Sequence, residues 1–309
     1  MIDKYFVIYF RNGVRYEEAH ENIADAVESY REKKRQDEFF DDRFVVGIKD
    51  EKGDIVINSS DVLRNKPIVL AIIPARGGSK RIPKKNIINF HGSPMIAWPI
   101  RALKESGVVD EILVSTDSEE VAGIAEKLGA MAPFRRPSSL SDDFVGTAEV
   151  TKHAIEWFIH NRGVPDYVLT IYPTAVFVSP NDIVDAVKLI EDRRTDVVFS
   201  AVEFPAPIQR ALYIDSKGIA KMFNPENYNK RSQDLQTAYH DAGQFYLVKT
   251  DIALRGLSFN NSPSTLYVIP RDRVVDIDTP EDLRIAEKLF DRYFRNEARA
   301  ASTIQGRRA

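Results

Sequence analysis

The sequence has no cysteine in 309 residues. Disulfides, thiolate metal sites and a cysteine nucleophile are therefore excluded. Long apolar runs are also missing. No stretch reaches the roughly 18 apolar residues of a membrane span. Met1 to Gly13 carry too short an apolar run, and too early a turn, for a signal peptide. Both absences predict a cytoplasmic protein. Charge of one sign is scarce too. The 43 Lys and Arg nearly balance 46 Asp and Glu, and the net charge of −3 argues against a dedicated nucleic-acid binder, which shows a basic excess. What is present suits a folded chain. Hydrophobic residues make up 43% and charged residues 29%, enough apolar material for a core and too much for disorder. The length fits one large α/β domain with a small appendage.

Residues 1–66 read as a separate α+β unit. Tyr5 to Phe10 is a predicted strand ending at an Asn12-Gly13 turn. A charged helix follows from about Asn22 to Glu38, with Ile23, Ala26, Val27 and Tyr30 on one face. Arg43 to Lys49 and Asp54 to Asn58, joined at Lys52-Gly53, complete a βαββ pattern. The charge run from Arg31 to Glu38 reads as a solvated helix face.

The main domain spans 67–296, and 297–309 form a small basic tail expected to fray. Ile68 to Ile73 is an unbroken apolar run of the kind buried on both faces of a sheet. Further strands are expected at Glu111 to Ser115, Tyr167 to Tyr172, Asp196 to Val202, Gly243 to Val248, Leu266 to Ile269 and Val274 to Ile277. Helical periodicity appears at Met95 to Ser106, Glu119 to Leu128, Ala148 to His160 and Ile183 to Asp192. This alternation predicts a mostly parallel sheet with helices on both faces. Thr279-Pro-Glu-Asp282 and Ser179-Pro-Asn-Asp182 both read as helix starts, an N-cap followed by proline in the first turn. Residues 203–239, rich in Pro, Asn, Arg and Gln, break the rhythm and read as an insertion.

One loop dominates the functional reading. The strand ending at Pro74 runs into Ala75-Arg76-Gly77-Gly78-Ser79-Lys80-Arg81, followed by Lys84-Lys85-Asn86. Ligands of open α/β sheets bind beyond the carboxyl ends of the strands. Glycine lets backbone N–H groups approach an anion closely. Arg76, Lys80, Arg81, Lys84 and Lys85 gather positive charge suited to a triphosphate. The loop is neither a Walker A sequence nor G-x-G-x-x-G. A solvated basic loop is the bland alternative. Asp276 and Asp278 flank Ile277, so an extended backbone puts both carboxylates on one face. Like charges so placed repel unless a cation lies between them, and Mg²⁺ takes one or two carboxylates together with phosphate oxygens. Asp278 could instead serve only the helix start at Thr279. Asp117 reads as a helix N-cap three residues before Glu120, with a direct ligand role left open.

Together, the Arg76…Lys80…Lys85-Asn86 loop, Val114-Ser-Thr-Asp117, Arg136-Pro137 and Asp276-Ile-Asp-Thr-Pro-Glu-Asp282 resemble the sugar-acid cytidylyltransferase family, which activates sialic-acid-type sugars and 3-deoxy-manno-octulosonic acid. The resemblance covers about 67–295. It implies a three-layer Rossmann-like nucleotidyltransferase fold, CTP as donor, Mg²⁺ on Asp276 and Asp278, and a homodimer. It implies that Arg76, Lys80 and Lys85 act on the phosphates, and that Ala75, Gly77, Gly78, Ser79, Asn86 and Arg136 hold the nucleotide. Phe204 to Ala211, Asn229 to Leu235 and Tyr239 to Tyr246 resemble the branch acting on pseudaminic acid. Members acting on N-acetylneuraminate carry Gln-Pro-Thr-Ser and Asn-Gly where this chain has Tyr172-Pro173-Thr174-Ala175 and Ala242-Gly243. The N-terminal 66 residues lie outside the family pattern.

The expected reaction is attack of an anomeric hydroxyl on the α-phosphorus of CTP, with diphosphate leaving. Arg210 or Arg231 could fork onto the sugar carboxylate. Gln209, Gln233 and Gln244 suit its hydroxyl and amide groups, although Arg and Gln are equally common on plain surfaces. His240 reads as a structural hydrogen-bonder rather than a base. Competing readings are a related nucleotidyltransferase activating N-acetylneuraminate, legionaminate, octulosonate or a sugar phosphate, and a non-catalytic nucleotide-binding protein. The carboxylate pair argues against the last, because a pure binder needs no hydroxyl-activating metal.

Overall fold

The structure is a computed structural model that describes residues 4–11, 14–37, 43–50, 52, 66–142, 145–256 and 261–305. In chain order its elements are β1 (Tyr5–Arg11), β2 (Val14–His20), α1 (Ile23–Asp37), β3 (Arg43–Asp50), β4 (Val69–Pro74), β5 (Asn89–Phe90), β6 (Ser93–Pro94), α2 (Ala97–Ser106), β7 (Glu111–Ser115), α3 (Glu119–Lys127), α4 (Thr147–Arg162), β8 (Tyr167–Ile171), α5 (Pro180–Arg193), β9 (Val197–Glu203), β10 (Leu212–Ile214), β11 (Ala220–Met222), β12 (Tyr239–Lys249), α6 (Thr250–Leu254), β13 (Ser264–Val268) and α7 (Pro280–Gln305).

The central sheet has the order β13-β9-β12-β8-β4-β7. β4 runs parallel to β7 and β8, and β13 parallel to β9. β12 is antiparallel to both of its neighbours. The period of two along β4 explains the three layers. Val69, Ala71 and Ile73 enter one core with Ile100 and Leu103 of α2, Val121 of α3 and Ile183 of α5. Leu70 and Ile72 enter the opposite core with Ile155 and Phe158 of α4 and Leu254 of α6. Each large apolar side chain contributes about 1.5–3 kcal/mol by burial, so a strand apolar on both faces is driven to the interior of the sheet.

Both proline-containing helix starts form. Asp182 closes a capping box on Ser179, and Asp282 exchanges the corresponding hydrogen bonds with Thr279. Asp182 is also buried, and its carboxylate accepts from Arg273 and from the Tyr267 hydroxyl. The strand expected at Val274 to Ile277 is absent, and 274–278 run without a ladder. Their alternation survives because fully buried Ile277 anchors in a third core with Phe90, Met95, Phe177 and Phe290. α7 continues to Gln305, through most of the tail expected to fray.

The N-terminal unit differs from its expected pattern. Its described elements read ββαβ, with the sheet order β2-β1-β3. β2 was missed because Glu17, Glu18 and His20 give it no apolar alternation. The expected Asn12-Gly13 turn and the strand Asp54 to Asn58 lie outside the described residues. Nor does the unit keep a core of its own. Val7, Ala26, Val27, Tyr30 and Ile48 pack in one cluster with Leu70 and Ile72 of β4, Ile155 of α4 and Leu254 of α6.

Between β9 and β12 the inserted segment forms a hairpin, β10 with β11, and three short 3-10 turns. Leu212, Ile214, Ile219, Phe223 and Tyr228 stand exposed on it.

Candidate active site

A cleft of about 550 Å³ opens beyond the end of β4. Arg76, Ser79, Lys80, Arg81, Lys85, Asn86, Arg136 and Asp278 line it, with Asp142, Thr147, Tyr172 and Thr174. Residues singled out in separate stretches of the sequence therefore meet in one place. The loop is held by its own backbone and by Asp117. Asp117 Oδ1 accepts from the Gly77 N–H at 2.8 Å, and Asn86 Nδ2 donates to the Arg76 carbonyl at 2.8 Å. A β-carbon at Gly77 would lie 2.8 Å from Ser118 Cβ, so the loop can pass Ser118 this closely only with glycine there.

Several expectations change here. Ala75 is buried and its N–H donates to the Ser115 carbonyl, so it offers no donor to a nucleotide. The Gly77 N–H is likewise committed to Asp117. The N-cap of α3 is Ser118, whose hydroxyl accepts from the Val121 N–H; Asp117 is a clamp on the loop rather than the cap. Gly78 has open space around it, as close approach of a ligand requires.

Lys85 follows Lys84, which adopts a left-handed backbone with φ 54°. Such strain is kept where the surroundings fix it, often at functional sites. Lys85 Nζ donates to the Ile277 carbonyl at 2.7 Å and to Asp278 Oδ1 at 3.0 Å. Arg81 Nη2 lies 2.9 Å from Asp278 Oδ2. Burial, and then the Asp278 charge, push the Asp276 carboxyl above its ordinary range. No group of three or more His, Cys, Asp or Glu side chains gathers as a ready metal cage among the described residues. Asp278 lines the cationic cleft and Asp276 stands two residues before it; a carboxylate pair so placed fits Mg²⁺, which shares its ligands with phosphate. Arg136 is buried, its Nη2 has no hydrogen-bond partner, and burial lowers its pKa. An unpartnered guanidinium N–H is costly; the Arg136 residue itself lines the cleft.

A second cavity of about 200 Å³ adjoins the cleft. It shares Thr147 and Tyr172 with the cleft and adds Thr151, Thr170, Asp241 and Tyr246 against Val168, Val197, Val248 and Ala253. A bulge in β12 builds it. The register to β9 shifts between Asp241 and Tyr246. Gly243 takes φ 62°, its N–H donates to Asp241 Oδ1, and Ser200 Oγ accepts from the Gln244 and Phe245 N–H groups at 3.1 Å. Bulges re-aim side chains, and this one brings Asp241 and Tyr246 together, the Tyr246 hydroxyl donating to Asp241 at 2.5 Å. Burial raises the pKa of Tyr246, reinforced by that carboxylate, and burial also raises that of Tyr172.

None of the five expected sugar-binding residues lines either hollow. Gln209 donates to the Gln236 carbonyl and Arg210 to the Lys230 carbonyl. Arg231 pairs with Asp234 on the exposed insertion, where Gln233 is exposed as well. Gln244 is buried and donates to the Arg273 carbonyl. His240 is exposed and engages the Asp241 carbonyl. The second cavity was missed because its residues come from α4, β8, β9, β12 and α6. The one signal for it was glycine inside a strand pattern, the mark of a bulge.

Residues 70–296 match the family described as Cytidylyltransferase. The chain belongs to the cytidylyltransferase family. It is 42% identical over 221 residues to the pseudaminic acid cytidylyltransferase of Campylobacter jejuni subsp. jejuni, a match covering 72% of this chain and 95% of that protein. It is 33% identical over 234 residues to the CMP-N,N'-diacetyllegionaminic acid synthase of Legionella pneumophila, covering 72% and 96%. In fold it is similar to a CMP:2-keto-3-deoxy-manno-octonic acid synthetase solved with CTP, at TM-score 0.53 and 17% identity over 73% of this chain and 99% of that one. This cytidylyltransferase is thus a CTP-using nucleotidyltransferase, on the fold its sequence predicted. No described helix is long and apolar enough to cross a membrane.

Proposed function

We propose that this cytidylyltransferase transfers CMP from CTP to the anomeric hydroxyl of pseudaminic acid, and that it works in the cytoplasm as a homodimer. The observation that carries this reading is the junction at Tyr172 of a cationic cleft with a smaller cavity lined by hydroxyls and apolar carbons. The cleft suits a triphosphate. The cavity suits the acylated amino groups of a nine-carbon sugar acid, with Asp241 and the tyrosines as hydrogen-bonding partners.

In the reaction the anomeric oxygen bonds to the α-phosphorus, the bond from that phosphorus to the β-phosphate oxygen breaks, and the hydroxyl proton passes to solvent. Lys80 and Arg76 stabilise charge on the departing diphosphate, as fixed cations do in phosphoryl transfer. Lys85 and Arg81 take phosphate oxygens in exchange for Asp278. Arg136, which lines the cleft, donates to the nucleotide. Mg²⁺ held by Asp276 and Asp278 would polarise the α-phosphate and lower the hydroxyl's pKa. Asp241 in the cavity repels a carboxylate, so the sugar's own carboxylate faces the cleft or a cation brought by a second copy. Arg210 and Arg231 ride on the insertion whose exposed Leu212, Ile214 and Phe223 fit such a partner.

Diphosphate release from CTP with a panel of nine-carbon keto sugar acids tests the assignment. Pseudaminic acid should give the highest kcat/KM. Preference for legionaminate or N-acetylneuraminate would reassign the acceptor, and release with a sugar phosphate alone would overturn the class.

A further inference from the structure

The N-terminal unit sends a largely buried cation into the cytidylyltransferase domain. Arg31, on α1, donates to the Asp251 carboxylate, to the Asp166 carbonyl and, at 2.7 Å, to the Pro165 carbonyl. Its side chain is 12% exposed and that of Asp251 is 9% exposed. These partners lie on two elements. Asp251 stands in the first turn of α6, and Pro165 and Asp166 lead into β8. The Thr250 hydroxyl also donates to the Pro165 carbonyl, at 2.6 Å, so α6 and the entry to β8 are already tied, and Arg31 closes the knot. Nearby, Arg255 pairs with Asp25 and Glu28 of α1.

Those same elements wall the smaller cavity. Val168 and Thr170 come from β8, Val248 from the end of β12, and Ala253 from α6. Val168, Ala253 and Leu254 share a core with Val27 and Tyr30 of α1. α6 has five residues and no side-chain N-cap, too short to hold its place by helix propensity. We infer that Arg31 is a positioning residue for the acceptor cavity: from outside the catalytic domain it fixes α6 against β8 and so sets the depth available to the sugar acid. This rests on the reading of the cavity as the sugar site. The charge run that contains Arg31 is therefore not wholly a solvated face.

The test uses the full chain. Arg31→Ala leaves Asp251 buried without its cation, so Arg31→Met with Asp251→Asn is made beside it; removing both charges together spares the fold. Steady-state kinetics are measured with each substrate varied in turn. Support that acts on a site through packed neighbours shifts binding by about tenfold. The KM for the sugar acid should rise about tenfold in both variants, with the KM for CTP within about twofold of wild type, and Arg31→Lys should recover part of the loss. An unchanged sugar KM in a folded variant would overturn the inference. So would an equal rise in both KM values, or failure of all the variants to fold, since either makes the pair a general support. Wild-type protein that turns over no sugar acid would instead refute the site reading, and the inference falls with it.

Discussion

The cleft beyond β4 and the smaller cavity share Thr147 and Tyr172, joined by a hydroxyl–hydroxyl hydrogen bond of 3.0 Å. Arg76, Lys80, Arg81, Lys85 and Arg136 all line the cleft. The cavity has no cation in its lining among the described residues. Its polar groups are hydroxyls and one carboxylate, set among valines and alanines. The cleft comes from one contiguous loop plus distant additions, whereas the cavity needs a bulge, two helices and neighbouring strands. A charged ligand can thus be held by a short stretch of chain, while a neutral, shape-defined group requires several elements in register.

Substitutions separate the two hollows by which substrate suffers. Lys80→Ala should have the largest effect, a loss of roughly 100- to 1,000-fold in kcat/KM, as when one contact to transition-state charge is removed. A variant retaining more than about half of wild-type kcat/KM would sink the phosphate-loop assignment.

Asp276→Asn and Asp278→Asn should each slow turnover by at least roughly tenfold with magnesium present. Without a divalent ion Asp276→Asn should not destabilise. The folded-state pKa of Asp276 is raised above its ordinary 3.8. Its charge therefore costs stability above that raised value, and the cost is relieved as pH falls from there to 3.8, the folded form taking up the proton first. Thermal melts in chelator should show the variant equal to or above wild type near neutral pH, with the gap closing as the medium is acidified toward the ordinary carboxyl range. Full activity in chelator would mean that the pair is structural.

Tyr246→Phe removes the hydroxyl donor to Asp241 and leaves that carboxylate short of one partner. The KM for the sugar acid should rise by roughly tenfold, a cost of about 1–2 kcal/mol, with the KM for CTP unchanged. Equal effects on both substrates would erase the division of labour between the hollows. Lys84→Ala should do least. Lys84 pairs with Glu120 on the surface, and exposed pairs contribute about 0–1 kcal/mol. A change beyond about threefold in either KM, larger than a surface pair explains, would bring Lys84 into the site.

Much of the sheet and of the cleft was legible. Ile68 to Ile73 announced an interior strand because burial on both faces demands apolar residues throughout. Arg76, Lys80 and Lys85 were legible as one cluster because the chemistry of phosphate demands charge, and Asp278 joined them only through the family resemblance. Gln209, Arg210, Arg231, Gln233 and Gln244 stand outside both hollows, because residue type alone does not say which way an insertion projects or whether a strand is bulged. Asp117 was read as a cap because Ser118, one residue on, competes for the same role. Arg31 looked solvated because its partners lie far along the chain, at Pro165, Asp166 and Asp251.

Asp278 already holds Arg81 and Lys85, and Asp276 feels the charge of all three. Asp278 thus spends its charge on two cations, whereas the Asp276 carboxyl stays above its ordinary range. In the proposed reaction a triphosphate that offers its oxygens to the two cations frees Asp278 for a divalent ion. On the proposed function, nucleotide opens the acidic pair, rather than the acidic pair recruiting the nucleotide.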